Sequence, residues 1–400
     1  MPNHAARALA RDSPLRALAL LTVTLATFFA ASSAPTPLYR LYQEAWGFSP
    51  GMLTLVFGIY ALSLLLALLT TGPLSDYLGR RPVILAALAL EMAGMALFAG
   101  AGGVGMLIAA RVVQGFATGM AASVLGAATL DVDRRRGPLL NGVAPLVGMA
   151  VGALGSSMLV QYAPAPLRLV YLLLLAIFAL QAGGAFALAE TVTPRPGALA
   201  AMRPRIVVPR GARSALWRVA PVDVAVWALG GFYLSLGPTL AGAATRSTAV
   251  TTGGWVVFTL TVAGVAAILL LRGMGATKML FTGSLLLAAG VLVTLVSVHA
   301  SQAGLFFIGT TIAGMGFGVA FQGSLRSLLP LAQPHERAGL LAAFYILSYL
   351  AFSIPAIVVG VLVPKVGLRM ATDAYGMALV VLALLTALGI ALPRMGKRRR

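Results

Sequence analysis

The sequence predicts an all-α integral membrane protein with twelve transmembrane helices in two six-helix halves. Hydrophobic residues make up 60% of the 400 residues and charged residues only 10%, whereas a soluble domain has about a quarter charged residues. The apolar residues are gathered into runs of the length that a helix needs to cross about 30 Å of hydrocarbon. A weak internal repeat divides these runs into two sets of six.

Twelve apolar segments are long enough to be membrane spans, and most of the connections between them are short. They are residues 17–38, 52–71, 83–101, 104–129, 139–161, 167–189, 219–242, 252–271, 279–298, 303–325, 338–362 and 371–392. Basic residues precede the first segment, as in a signal peptide. This segment is too long for such a peptide and lacks a clean cleavage site, so we expect it to remain as the first span.

The distribution of Lys and Arg predicts the orientation of these spans. If the N-terminus is cytoplasmic, most basic residues fall in cytoplasmic segments, as the positive-inside rule requires. The opposite loops then hold only Arg40, Arg168, Arg246, Lys365 and Arg369. We therefore expect both termini in the cytoplasm. The net charge of +19 is explained by this topology, with contact to anionic lipid as a secondary effect, and we expect no nucleic-acid partner.

A basic, Pro-containing segment at 190–218 divides the chain into an N-terminal half, 1–189, and a C-terminal half, 219–400. The fifth span begins with Arg136-Gly-Pro-Leu-Leu140, and the eleventh begins 201 residues later with Arg337-Ala-Gly-Leu-Leu341. Gly115 and Gly316 share the same offset. Two packed halves of related sequence are typical of transporters, in which the halves rock about a central site.

Several functional classes are excluded by missing residues. The chain has no Cys and only three His, so thiolate catalysis and a cysteine-type metal site are ruled out, and we expect no metal. No Walker-type loop, HExxH or GxSxG motif is present. We expect a protein that is not an enzyme, has no cofactor and uses no ATPase subunit.

The loop between the second and third spans reads Gly72-Pro-Leu-Ser-Asp76-Tyr-Leu-Gly79-Arg80-Arg81-Pro. It resembles the signature loop of the major facilitator superfamily, G-x-L-[SA]-D-x-x-G-R-[RK], and it occupies the position where that family places it. The resemblance implies twelve helices, transport by alternating access and a role for this loop as a cytoplasmic gate. The alternative is a basic turn that only sets topology.

The parts of this loop have separate physical roles. Gly72 allows close helix approach, and Gly79 permits a tight turn. Asp76 is an anion that can meet an Arg or a helix N-terminus. Arg80 and Arg81 can pair with acids at the end of the fourth span, where Asp131 and Asp133 lie; these two acids complete the predicted gating cluster.

The fourth span contains Arg111-Val-Val-Gln114-Gly, which resembles the family's R-x-x-Q-G motif. An Arg inside a span is costly and is functional by default, and the resemblance implies a part in proton coupling. The alternative is an Arg that extends to the surface and anchors the helix. Glu91, in the third span, is either a proton carrier or a permanently ionised partner of Arg111.

The fifth span carries Gly148, Gly152 and Gly155, and the spacing of the first two permits close helix packing. The stretch resembles the family's antiporter motif G-x-x-x-G-P-x-x-G-G imperfectly, because Ala153 replaces the Pro. Antiport and simple packing are equally good interpretations. Asp223 and Asp373 lie near the starts of the seventh and twelfth spans, where we expect them to favour helix N-termini.

By resemblance, the first, fourth, seventh and tenth spans line a central cavity. Their side chains predict an aromatic and hydroxylic lining: Phe28, Phe29, Ser32, Trp227, Phe232, Tyr233, Phe317, Phe321 and Gln322. Only two Asn occur in the chain, which favours a hydrophobic or amphipathic substrate over a sugar.

We therefore expect a monomeric secondary transporter in a bacterial plasma membrane that expels a small organic molecule in exchange for protons. The proton gradient would supply the energy. A proton symporter or importer in the same fold is the first alternative, and a non-transporting membrane receptor or an intramembrane enzyme is the second.

Overall fold

The computed structural model describes the backbone of residues 4–204, 206–333 and 336–392, and the side chains from Pro14 onward. The basic residues near the two ends of the chain, which we predict to be cytoplasmic, therefore lie outside the described side chains. They include Arg7, Arg11 and the run 394–400; Arg205 and His335 also lie outside.

Twelve helices of the described chain are long and apolar enough to cross a membrane, which confirms the predicted fold class. Their bounds are α1 His4–Ser33, α3 Pro50–Thr71, α5 Arg80–Ala99, α6 Val104–Val132, α7 Gly137–Tyr162, α8 Leu169–Phe186, α10 Arg210–Ser235, α12 Val250–Leu270, α13 Ala276–Ala300, α14 Ala303–Leu328, α15 Arg337–Val366 and α16 Leu368–Ala391. Shorter helices are α2 Tyr39–Trp46, α4 Ser75–Leu78, α9 Ala198–Ala201 and α11 Gly237–Thr245. No strand is present in the described residues.

Two segments differ from the prediction. The connection between the first two spans contains helix α2, in which Tyr39 and Tyr42 are buried. The seventh membrane helix, α10, begins at Arg210 rather than at residue 219 and ends at Ser235. The chain restarts as α11 at Gly237, since Pro238 pre-sets a helix start and supplies no N–H to continue the previous helix. The seventh membrane helix is therefore interrupted for one residue, at Leu236.

Glycines at helix crossings show the repeat between the halves in three dimensions. A Cβ at Gly115 or Gly119 in α6 would meet the carbonyls of Tyr60 and Leu64 in α3. In the second half, Gly314 and Gly318 of α14 abut the carbonyls of Leu260 and Gly264 in α12 in the same way. The structural counterpart of Gly115 is thus Gly314, and not Gly316 as the sequence offset suggested; Gly316 instead packs against Leu287 of α13.

Several close contacts between the two halves lie towards the end of the bundle that carries residues 34–49, here called the opposite face. The end that carries residues 72–79 is called the motif face. Near the opposite face, a Cβ at Gly58 of α3 would lie 2.6 Å from Ile357 of α15, and Gly360 faces the Thr54 side chain. Gly254 of α12 abuts Ser157 of α7. Missing side chains at these crossings let the helices of the two halves meet closely.

Candidate functional site

Arg80 joins three acidic and hydroxyl groups on the motif face. Its guanidinium donates to Asp76 at 2.5 Å, to Asp131 at 2.9 Å and to the Ser75 hydroxyl at 2.7 Å. Only 11% of the Arg80 side chain is exposed, while half of Asp76 is. A charge-assisted network of this kind fixes the loop against the end of α6.

Gly79 allows the sharp turn of this loop. Gly79 has φ +98°, a backbone conformation that L side chains rarely adopt, and a Cβ there would also press on the Glu190 carboxylate. This carboxylate accepts the backbone N–H groups of Arg80 and Arg81, at 2.8 and 3.0 Å. Glu190 thus caps the N-terminus of α5, where an anion is favoured by the helix dipole.

The structure contradicts the expected pairing of Asp133 with Arg80 or Arg81. The Asp133 carboxylate accepts backbone N–H groups from Arg136 and Arg135, both at 2.9 Å. The Arg136 backbone bond, followed by that from Arg135, lowers the pKa of Asp133. The Arg81 guanidinium instead donates to the Phe186 carbonyl at 3.3 Å.

Glu190 was not predicted from the sequence. Partial burial acts to raise the pKa of Glu190, but four backbone N–H bonds outweigh it and lower the pKa overall. The same segment touches the motif face twice more. The Thr191 hydroxyl donates to Asp131 at 3.0 Å, and the Arg195 guanidinium lies 4.3 Å from the Tyr77 ring centroid. The start of the segment 190–218 is therefore bound to the predicted gating cluster.

Pro35 leaves the last carbonyls of α1 without backbone hydrogen bonds, and the side chains of Arg111 and Gln114 bond these carbonyls instead. Pro35 has no N–H to bond the Ala31 carbonyl, and the Thr36 N–H bonds Ser33 rather than Ser32. Gln114 donates to the Ala31 carbonyl at 3.0 Å, and Arg111 donates to the Ser32 carbonyl at 2.9 Å. Two side chains of α6 thus satisfy the last carbonyls of α1.

Arg111 is fully buried, so the alternative in which it extends to the surface is wrong. Its guanidinium also donates to Gln114 at 2.7 Å and to the Tyr39 hydroxyl. Its charge lies 5.4, 5.2 and 5.8 Å from the ring centroids of Tyr39, Tyr60 and Phe98. Three ring faces therefore stabilise the cation away from water.

Glu91 reaches this network only through Gln114. Its Oε1 atom accepts from the Gln114 amide at 3.4 Å, and Glu91 is fully buried. Its Oε2 atom has no hydrogen-bond partner in the described structure. The expected direct partnership of Glu91 with Arg111 is replaced by a bridge, Glu91–Gln114–Arg111.

The glycines of α7 divide into two kinds. Gly148 and Gly152 lie against the Ala26 and Ala30 carbonyls of α1, so any side chain there would collide with backbone. Gly155 has nothing within 4 Å of its Cβ position, and its predicted packing role is wrong. The close approach of α7 to α1 accounts for the first two glycines without any reference to transport direction.

Three of the predicted cavity residues are buried within one half. Phe28 packs on Phe178 of α8 with ring centroids 5.1 Å apart. Phe232 stacks on Tyr375 at 4.8 Å, and the Tyr233 hydroxyl lies 3.3 Å from that of Thr310. All three side chains are at most 5% exposed, so the structure does not place them on a cavity between the halves.

The remaining predicted cavity residues are partly exposed: Phe29, Ser32, Trp227, Phe317, Phe321 and Gln322. The Gln322 amide oxygen lies 3.5 Å from the Cβ position of Gly142 in the other half. Trp227 contacts the apolar clusters of both halves. These two residues therefore lie where the halves meet.

Asp223 is the site residue that sequence reasoning misplaced. It lies in the interior of α10 and is fully buried, not at a helix N-terminus. Its Oδ2 atom accepts from the Ser348 hydroxyl of α15 at 2.8 Å. Basic residues at 210–218, just before the apolar run, suggested that the helix began near Asp223. Asp373 is the sixth residue of α16, beyond its first turn, so its predicted place at the helix N-terminus is wrong. Its carboxylate lies 3.0 Å from the His299 Nε2 atom, within hydrogen-bond distance.

Comparisons with known proteins agree with this architecture. The sequence model of the Major Facilitator Superfamily matches residues 19–245, more than half of the chain. No curated protein matches the sequence. Among solved structures, the crystal structure of the human organic anion transporter MFSD10 (TETRAN) is similar, with a TM-score of 0.70 and 18% identity over 93% of this chain and 99% of that chain. At that identity the similarity shows a shared fold.

Proposed function

The chain belongs to the major facilitator superfamily, a family of secondary transporters, and we propose that it expels a hydrophobic or amphipathic organic compound in exchange for protons. It is a multi-pass membrane protein. Our proposal places it in a bacterial plasma membrane as a monomer with both termini in the cytoplasm, as the Lys and Arg distribution favours.

The buried carboxyl of Glu91 is the observation that carries the proposed proton coupling. Transfer of an ionised carboxylate from water to a protein interior costs several kcal/mol unless it is well paired, and Glu91 has one long hydrogen bond and an unpartnered Oε2 atom. In the proposed cycle, Glu91 binds a proton at Oε2 in one orientation of the halves and releases it in the other. The Gln114 bridge would connect this change to Arg111 and to the end of α1.

The packing of the halves supports alternating access. Contacts between the halves at Gly58, Gly254 and Gly360 lie towards the opposite face. On the motif face, Asp76 is half exposed and pairs with Arg80 of its own half. In the proposed cycle the halves rock about their contact, and the Arg80 cluster closes against the second half when the opposite face opens.

The partly exposed aromatic and polar residues support an amphipathic substrate. Phe29, Phe317 and Phe321 offer apolar surface, while Ser32 and Gln322 offer hydrogen bonds. Apolar walls with few polar groups are typical of sites for small organic molecules.

The proposal is tested in inside-out vesicles that contain the protein. An acid-inside pH gradient is set up, and lipophilic cations, amphipathic acids, sugars and amino acids are screened for substrate-evoked proton release. Release by drug-like compounds that is lost in Glu91→Gln supports the proposal. Release that survives this substitution keeps antiport but removes Glu91 as the carrier, and solute movement in the same direction as protons would show a symporter instead.

A further inference from the structure

The buried acids of the described chain outnumber its buried bases. Among its Asp, Glu, Lys and Arg side chains, those classed as buried are Glu91, Arg111 and Asp223, each with no exposed surface. Glu91 and Arg111 are joined through Gln114. Asp223 has no basic side chain among its hydrogen-bond or ion-pair partners. A buried acid without a cation inside a span marks a functional site by default.

Hydrogen bonding around Asp223 is also incomplete. Oδ2 accepts from Ser348, but Oδ1 is buried without a partner. The indole N–H of Trp227, one helical turn further along α10, is close enough to interact with the Asp223 carboxylate but does not complete a hydrogen bond of normal geometry. Buried polar atoms of this kind are rare because each costs about 1–3 kcal/mol. The acceptor and its neighbouring donor thus leave each other incompletely hydrogen-bonded.

Aromatic rings surround Trp227, which lies one helical turn from this acid. The Trp227 ring centroid lies 4.6 Å from Tyr349, 5.8 Å from Phe321, 5.9 Å from Phe352 and 6.4 Å from Tyr345. Trp227, Tyr345 and Phe321 are partly exposed. Trp227 and Tyr345 each contact both apolar clusters, so the group lies at the surface on which the halves would move.

We infer that Asp223, Trp227 and Tyr345 form a recognition site for an organic ammonium ion with an aromatic or apolar body, an inference that rests on the proposed transport function. The ammonium group would donate to Asp223 Oδ1 and form an ion pair with the carboxylate. The ring faces would hold the cation by cation–π attraction, and the apolar body would lie against Phe321. This selects cations over anions of the same shape.

The test compares binding of three probes that share one ring system and differ in charge. Full-length protein in detergent at neutral pH is titrated with 1-naphthylmethylammonium, 1-naphthylmethanol and 1-naphthoate by calorimetry. We expect the ammonium to bind about tenfold to a hundredfold more tightly than the alcohol, as a hydrogen bond to a charged group implies, and the carboxylate to bind most weakly. Equal affinities, or tightest binding of 1-naphthoate, would overturn the inference.

Single substitutions identify the side chain that causes the preference for the ammonium over the alcohol. Asp223→Asn should bring the ammonium and the alcohol to within about twofold of each other, while Asp373→Asn should keep the wild-type ratio. Retention of the ratio in Asp223→Asn, or its loss in Asp373→Asn alone, would contradict the assignment. Thermal melts check folding, and Trp227→Leu is a second variant that should weaken ammonium binding more than alcohol binding. The comparison of the three probes on the wild-type protein remains a valid test even if a variant does not fold.

Failure of this inference is distinguishable from failure of the proposed function. Proton release in vesicles evoked by 1-naphthoate but not by the ammonium would keep antiport and overturn the recognition site. Ammonium-selective binding that needs Asp223 would support the site even if none of the probes moved protons, in which case the transport proposal would fail.

Discussion

Replacement of Gln114 by Leu tests the explanation of how α1 ends. The substitution keeps the side-chain size and the net charge but removes every polar contact of the amide. Three hydrogen bonds are lost: those to the Ala31 carbonyl, to Glu91 and from Arg111. The Ala31 carbonyl cannot recover a backbone partner, because the N–H that would reach it belongs to Pro35.

The magnitude follows from two independent scales. Two of these bonds join different helices, and hydrogen bonds between membrane helices contribute about 0.6 kcal/mol each on average, which gives about 1.2 kcal/mol. A buried group left without a partner costs about 1–3 kcal/mol. We therefore expect the free energy of unfolding of Gln114→Leu to fall by about 2 kcal/mol.

The matched control is Gln181→Leu in α8. Gln181 is also buried, but it makes one side-chain bond, to Thr27 at 2.7 Å, and its Oε1 atom is already unpartnered. We expect a loss of about 0.6 kcal/mol there. Both variants are unfolded with SDS in mixed micelles and followed by circular dichroism. If Gln114→Leu costs no more than Gln181→Leu, the account of α1 is wrong.

Three further predictions concern the motif face and the helix crossings. Gly152→Val should abolish accumulation of folded protein because the new side chain would collide with the Ala30 carbonyl, while Gly155→Val should accumulate normally. Equal yields of the two variants by fluorescence-detected size-exclusion chromatography would refute this. Arg80→Gln should raise the rate of amide hydrogen exchange in residues 72–79, since it removes two ion pairs. An unchanged rate would contradict the role of Arg80 in fixing this loop. Because the pKa of Glu190 is lowered, its cap on α5 is fully formed above the ordinary Glu pKa and is lost only as pH falls through the lowered value. Amide protection at Arg80 should thus persist from about pH 8 to about pH 5, and its loss near pH 6 would show that the cap is not the carboxylate.

The membrane fold was largely predictable because each span carries its own signal. A run of about 20 apolar residues is sufficient to identify a membrane helix, and the loop at 72–82 follows a specific pattern. The pairing of Arg80 with Asp131 could be anticipated because both lie at helix ends on the same face. Helix α2 was missed, although Tyr39, Tyr42 and Trp46 have a helical spacing.

The candidate site was less predictable because spacing does not show which way a uniformly apolar helix faces. Lipid and protein neighbours are both apolar, so Phe28 and Phe232 look the same as Phe29 and Phe321 in the sequence. Asp223 was misjudged because the basic residues from Arg210 to Arg218 concealed the first turns of its helix. The bridge through Gln114 depends on a contact between helices that residue types alone do not specify.

Alternating access is tested most directly by two distances across the halves. The natural chain has no Cys, so spin labels can be placed at Ser49 and Lys365 near the opposite face, and at Arg135 and Arg272 near the motif face, all of which are exposed. Double electron–electron resonance spectroscopy should show a short and a long distance for each pair of labels. Between about pH 8 and about pH 5, the population of the long distance should rise for one pair and fall for the other. A single fixed distance for both pairs, or distances that lengthen together, would contradict the proposed cycle.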